Sequence, residues 1–228
     1  MLHRRFASVA LATLGVCSVA GAAVTFSVTP VGATADGHPA NARATFTTSA
    51  GQVHVLLENL QADPISRGQA ISGLFFTLDG GQSGGTMPAS SGMERSIASN
   101  GTFADLGLAP TGWSFSAVGS QNRLDVLNTP TAPEHLVIGP PNASNIYGSA
   151  NASIRGNGPA NPFLGLSTEF TLSIPGVTSD TLLSSAIFQF GTSPGDETPG
   201  TTIVPEPSTL LLAAGLPLLM ARRRAASV

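Results

Sequence analysis

The chain combines a low content of charged residues with many small and apolar ones. It has 228 residues, of which 42% are hydrophobic and 10% are charged, and its ten basic residues are all arginines. With a formal net charge of −3, it offers no basic patch for nucleic acid or an anionic membrane surface, and its recurring apolar and β-branched residues are not those of a disordered chain.

Residues 1–22 have the three parts of a secretory signal peptide. His3-Arg4-Arg5 is a basic start, residues 6–19 are an apolar stretch, and Ala20-Gly21-Ala22 supplies the small residues that a signal peptidase requires. We therefore expect export by the Sec machinery and a single cleavage at the site marked by Ala20 and Ala22, so that the mature chain begins near Ala23.

Removal of this segment changes the chemistry of the chain. Cys17 is the single cysteine, and its loss excludes disulfides, thiolate zinc sites and cysteine nucleophiles from the mature protein. Between Ala23 and Val204, five arginines face twelve acidic residues, which leaves a net charge of about −7. This length is enough for one domain with a sizeable core.

Short segments with alternating apolar and polar residues predict an all-β fold. Turn-forming residues separate the segments, and the apolar members of most segments lie two positions apart, as in half-buried strands. The predicted strands lie around residues 24–28, 44–48, 53–57, 71–78, 113–117, 124–126, 136–138, 170–174 and 187–190. Strands of this number and length predict a single β-sandwich over residues 23–191, of jelly-roll or immunoglobulin-like type.

Helical signals inside this domain are weak. Residues 87–100 are compatible with one turn or a short helix, whereas residues 80–85 predict a loop because four of the six are glycine. Residues 139–163 are rich in Pro, Asn and Gly and are expected to form the longest irregular segment. Residues 192–203 predict a flexible linker.

Residues 204–228 contain three parts in a fixed order. Val204-Pro205-Glu206-Pro207 is stiff, because proline fixes φ and lacks a backbone donor, and we expect it to be extended and exposed. A short hydrophobic helix is predicted next, with Leu210–Met220 apolar on all its faces. This run is shorter than the ~20 residues that cross a full bilayer. Arg222-Arg223-Arg224 then acts as a stop that keeps a C-terminus on the cytoplasmic side.

This tripartite end resembles the PEP-CTERM sorting signal of Gram-negative bacteria. The resemblance rests on Pro205, Glu206 and Pro207, on the apolar run and on Arg222, Arg223 and Arg224. It implies that an exosortase, a membrane-embedded cysteine transpeptidase-like enzyme, recognises Pro205-Glu206-Pro207 and cleaves nearby. The precursor would contact the membrane only through this segment, and the mature protein would be released or attached at the cell surface, often in an exopolysaccharide or biofilm context.

No residue pattern in the mature domain predicts a catalytic site. His38, His54 and His135 lie in separate segments without metal-binding spacing and are predicted to be surface or turn histidines. We therefore expect a non-catalytic protein, with a secreted hydrolase as a less favoured alternative, because no spacing singles out a glycosidase pair. The carboxylates available for such a pair are Asp79, Asp105, Asp125, Glu134 and Glu169.

Two ligand classes stay open, although no cofactor is expected. Calcium would find oxygen ligands in Asp196-Glu197 and in four asparagines of the irregular segment, at positions 142, 145, 151 and 157, but asparagine-rich turns also form without metal. An extracellular polysaccharide would find an aromatic platform in Trp113 or Tyr147 if either is exposed. A carbohydrate-binding module is therefore the alternative function, although the alternation of Trp113 with Phe115 also fits a core position.

Overall fold

A computed structural model of the chain describes residues 24–28, 30, 32–193, 197–199 and 204–205, of which 24–28, 197–199 and 204–205 are described by their backbone. The predicted signal peptide lies outside these residues. So do Glu206, Pro207, the apolar run and Arg222–Arg224. No helix within the described part of the chain is long and apolar enough to cross a membrane.

The described residues form thirteen strands and two short 3-10 turns, Arg67–Gln69 and Gly158–Ala160. The strands in chain order are β1 (Val24–Val28), β2 (Ala42–Ser49), β3 (Gln52–Asn59), β4 (Ile71–Leu78), β5 (Thr86–Ile97), β6 (Phe103–Ala109), β7 (Ser114–Val118), β8 (Gln121–Asp125), β9 (Val137–Ile138), β10 (Phe163–Ser173), β11 (Leu183–Phe190), β12 (Glu197–Pro199) and β13 (Val204–Pro205).

These strands form two layers joined by one short strand. The first layer has the order β13-β1-β2-β3-β10-β5-β6, and the second has the order β12-β11-β4-β8-β7. Strand β9 links them, because Val137 pairs with Leu164 of β10 on one side and with Ile71 of β4 on the other. The all-β prediction is confirmed, and the two layers form a β-sandwich.

The core lies between the layers and follows from the alternation in the strands. In β3, Val53, Val55 and Leu57 are fully buried, while the residues between them face outward. Aromatic rings meet across the layers: the Phe46 ring of β2 lies 5.1 Å from the Phe76 ring of β4. Offset or tilted contacts of this kind add to the stabilisation that apolar burial supplies.

Residues 86–97 form a strand, not the single turn or short helix with which residues 87–100 are compatible in sequence. This segment contains Pro88, Gly92 and several serines, so neither strand propensity nor alternation identifies it. Pairing decides its structure, because β10 binds one edge of β5 and β6 binds the other. Cross-strand pairing often overrides weak local preference in this way. Residues 80–85 form the loop that was predicted before it.

The buried side chain of Arg95 in β5 connects the first layer to the irregular segment 139–162. The guanidinium donates hydrogen bonds to both carboxylate oxygens of Asp105 at 2.7 and 2.9 Å and to the Tyr147 hydroxyl at 3.0 Å. It also lies 4.0 Å from the centre of the Phe103 ring. Burial lowers the pKa of Arg95, but the hydrogen bonds to Asp105 and Tyr147 outweigh this effect, so the pKa lies above its ordinary value.

The segment predicted to be a linker contains a strand that binds the second layer. Glu197–Pro199, as β12, pairs with residues 187–189 of β11, while β13 pairs with β1 in the first layer. Parts of residues 192–205 therefore lie along one edge of each layer. The prediction that Val204 and Pro205 are extended agrees with their backbone, but they are paired with β1 rather than standing free.

Candidate functional site

A depression on the outer face of the first layer is lined mainly by polar side chains. Three adjacent strands line it: β3 with His54, β10 with Glu169 and Thr171, and β5 with Ser91 and the apolar Ala89. The register accounts for this, because Thr171 lies opposite both His54 and Ala89. Glu169 lies opposite Ser91 in the same way. The resulting cavity has a volume of about 140 Å³.

A second cavity adjoins the first along β10. It has a volume of about 190 Å³, shares Ser91 and Glu169 with the first, and adds the apolar side chains of Met93 and Leu108. Leu108 is 75% exposed, which is unusual for a large apolar side chain. The two cavities together are called the outer-face groove.

Thr168 lies between the groove residues Ser167 and Glu169 but buries its side chain on the core face of β10, opposite the fully buried Leu57. The residue is 1% exposed, and among the described residues its Oγ1 finds no hydrogen-bond partner. Buried polar groups are normally paired, and an unpaired one costs about 1–3 kcal/mol. Because the Thr168 Oγ1 is buried on the core side, it does not contact a ligand in the groove.

A bulge in β10 shapes this part of the groove. The pairing of β10 with β5 shifts between Gly165 and Thr168, and Leu166 within the bulge has a φ of 68°. Left-handed backbone is uncommon for a bulky residue. Bulges and strained residues of this kind often lie beside binding sites, where they redirect neighbouring side chains.

The groove offers hydrogen-bonding groups rather than an assembled catalytic pair. His54 Nε2 and Glu169 Oε2 are 3.9 Å apart, which is too far for a direct hydrogen bond, and their side chains are 46% and 60% exposed. Serine and threonine hydroxyls surround them, and Met93 and Leu108 provide an apolar end. This combination suits a neutral ligand that is rich in hydroxyl groups.

Trp113 and Tyr147 are not sugar platforms, which corrects the prediction made from the sequence. Trp113 is 4% exposed and Tyr147 is fully buried. The Trp113 ring packs 5.3 Å from the Phe170 ring, and its Nε1 donates to the carbonyl of His135 at 2.9 Å. The Tyr147 hydroxyl donates to the carbonyl of Gly139 at 2.9 Å. Burial raises the pKa of the Tyr147 phenol, and this effect outweighs the hydrogen bond from Arg95, which lowers the pKa.

The histidines occupy different environments. His54 lies on the outer face, in agreement with the prediction of a surface residue. The side chain of His135 is only 12% exposed, and its Nε2 lies 3.1 Å from Glu94 Oε1. Its Nδ1 lies 2.8 Å from the carbonyl oxygen of Thr111. His135 therefore connects the segment before β9 to β5 and to the β6–β7 loop, instead of lying on the surface.

Most carboxylates named for a hydrolase have structural contacts. Asp105 binds Arg95, and Asp125 accepts a hydrogen bond from the backbone N–H of Leu127 at 2.7 Å. Asp79 accepts one from the backbone N–H of Leu182 at 3.1 Å. Glu169 differs from these three because it lies in the outer-face groove.

Two of the four asparagines named as calcium ligands use their side-chain oxygens in local turns. The Asn142 Oδ1 accepts the backbone N–H of Ser144 at 3.0 Å, and the Asn151 Oδ1 accepts that of Ser153 at 2.8 Å. Asp196 lies outside the described residues, and Glu197 is described only by its backbone. Within the described residues, no group of three or more His, Cys, Asp or Glu side chains is placed to hold a metal ion.

Sequence reasoning did not identify the groove, although one signal was available. Glu169 alternates with the buried Phe170, so its outward direction could be predicted from the sequence. Its neighbours could not be predicted, because Ser91 lies in β5, which carries no strand signal in its sequence.

The chain matches no family model, no curated protein and no solved structure. The assignment of a function therefore rests on the residues and the fold themselves.

Proposed function

We propose that the protein is an exported, non-catalytic component of the cell surface or extracellular matrix, sorted through its C-terminal segment. The observation that carries this proposal is the order of the tail: Pro205-Glu206-Pro207, then an apolar run, then Arg222-Arg223-Arg224. The basic and apolar segment at residues 1–22 supports export.

The properties of the domain are compatible with this role. The predicted mature part has no cysteine and no lysine, and its core is a β-sandwich whose large aromatic residues are used for packing. The two processing segments flank the domain. An exosortase and the Sec machinery are the partners that this proposal requires.

Replacing Pro205, Glu206 and Pro207 with alanine should stop processing. Because the stiff prolines and the carboxylate between them are the features that an enzyme would recognise, we expect the variant to accumulate in the membrane fraction as an uncleaved precursor. Cell fractionation with immunodetection measures this, and a Pro199→Ala variant is the matched proline control. Normal release of the triple variant would show that the motif is not the sorting signal.

A second candidate function is binding of a neutral polysaccharide in the outer-face groove. The observation that favours it is the arrangement of serine and threonine side chains and the Glu169 carboxylate beside the apolar end formed by Met93 and Leu108. The hydroxyl groups of a sugar chain hydrogen-bond to the polar side chains of the groove, and its carbon-bound hydrogens pack against Met93 and Leu108. This function is compatible with sorting to the surface, because it concerns what the domain does after export.

Filling the groove should abolish such binding. Ser91→Tyr places a large side chain in the wall that both cavities share, and Glu169→Gln removes the charged acceptor, with an expected loss of about tenfold in affinity. Affinity electrophoresis in gels containing dextran, xylan or β-glucan measures the effect. Ser116→Tyr, on an exposed position of β7 in the other layer, is the control. Equal retardation of all variants would contradict binding in the groove.

A further inference from the structure

The start of the sorting motif is bound to the folded domain. Strand β13 pairs antiparallel with β1, with Phe26 opposite Pro205 and Ser27 opposite Val204. On its other edge, β1 pairs along its whole length with β2, from Val24 opposite Thr48 to Val28 opposite Ala44. Val204 and Pro205 therefore lie on what is otherwise an edge of the first layer.

Only one residue of β13 can donate a backbone hydrogen bond. Proline has no N–H, so Val204 carries the single donor of this two-residue strand. The pairing is consequently short and weak, and a single substitution can remove its donor. A segment held in this way opens at a low free-energy cost compared with the core strands.

Residues 197–199 and 204–205 cover one strand edge in each layer. Strand β12 pairs with Ile187, Phe188 and Gln189 of β11, while β13 pairs with β1. Exposed strand edges bind other chains, and proteins commonly cover them with short segments. The segment before and at the start of the sorting motif therefore binds the domain itself, through β11 and β1, in addition to the enzyme that the sorting proposal implies.

We propose that β1 is a docking strand for the start of the sorting motif and that docking delays its processing. This inference rests on the proposed sorting function. An enzyme that cleaves near Pro205 has to enclose an extended backbone, whereas in the folded domain one edge of that backbone is occupied by Phe26 and Ser27. The docked segment and the enzyme-bound segment therefore exclude each other, and the precursor is processed from its undocked state.

Docking also places the two ends of the domain side by side. Strand β1 begins at Val24, directly after the predicted signal-peptide cleavage at Ala22. In the antiparallel pairing, β13 runs from Val204 to Pro205 toward the Val24 end of β1. Signal-peptide removal and C-terminal sorting then act at the same edge of the first layer, and β13 can dock once β1 is part of the folded layer.

The first test measures docking without any enzyme. In the full-length chain, Val204→Pro removes the only donor of β13, whereas Val204→Ala keeps it. By hydrogen–deuterium exchange, we expect the β1 amide that points toward β13, at Phe26 or Ser27, to exchange about tenfold faster in Val204→Pro than in Val204→Ala. Exchange in β3, which pairs with β2 and β10, serves as the internal reference. Equal rates in β1 for the two variants would overturn the docking.

The second test measures processing in cells that export the protein. In a pulse-chase experiment, we expect the Val204→Pro precursor to disappear faster than the Val204→Ala precursor, because it spends more time undocked. Equal or slower loss would overturn the delay. If exchange responds as expected but none of the precursors is cleaved, the sorting function fails while the docking stands, so the two proposals are distinguished.

Discussion

Arg95→Met is expected to lower the free energy of unfolding by about 3 kcal/mol. The substitution keeps much of the side-chain volume but removes the hydrogen bonds to Asp105 and to the Tyr147 hydroxyl. The side chain of Asp105 is 40% exposed, so water can solvate part of its charge after the change. Tyr147 is fully buried and loses a donor that water cannot replace. Chemical denaturation followed by the fluorescence of Trp113 measures the effect.

Arg43→Met is the matched control for this prediction. Arg43 also binds a carboxylate on the neighbouring strand with two hydrogen bonds, at 2.6 and 3.0 Å to Glu58. Its side chain is 46% exposed, and exposed ion pairs contribute less than about 1 kcal/mol. If the two variants lose the same stability, the buried contacts of Arg95 do not have the importance assigned to them.

Trp113→Ala is expected to cost about 4 kcal/mol of unfolding free energy. The side chain packs on Phe170, and its Nε1 donates to the backbone of His135. Truncation leaves a cavity between the two layers and an unpaired carbonyl oxygen. Because Trp113 is the only tryptophan, far-UV circular dichroism replaces fluorescence as the measurement.

Trp113→Phe separates packing from hydrogen bonding at the same position. It keeps an aromatic ring against Phe170 and removes only the Nε1 donor and part of the volume, so we expect a smaller loss of about 1–2 kcal/mol. A loss under ~1 kcal/mol for Trp113→Ala would place this ring at the surface and reopen its use as a sugar platform.

Much of the sandwich could be predicted from local pattern. Residues 71–78 are mostly apolar and form β4, which has strands on both edges and buried side chains on both faces. The alternation around Phe46 and Val55 predicts β2 and β3, and their connection at Gly51 follows from the turn signal. These features depend on residues that are close together in the sequence, so they can be predicted from the sequence of one protein.

The remaining features depend on contacts between distant segments. Strand β5 lacks a local signal and is defined by β10 and β6, and the outer-face groove needs β5 to place Ser91 beside Glu169. Tyr147 lies in an irregular segment, where no periodicity indicates burial, and Arg95 supplies its partner from another strand. Likewise, Pro205 signals an extended backbone, but nothing near it in sequence reveals its pairing with β1.

Export and processing at both ends leave a signature in the intact mass of the protein at the cell surface or in the medium. We expect a chain that begins near Ala23 and has lost Arg222–Arg224 through cleavage near Pro205-Glu206-Pro207. A surface or secreted protein that still ends at Val228 would contradict this expectation.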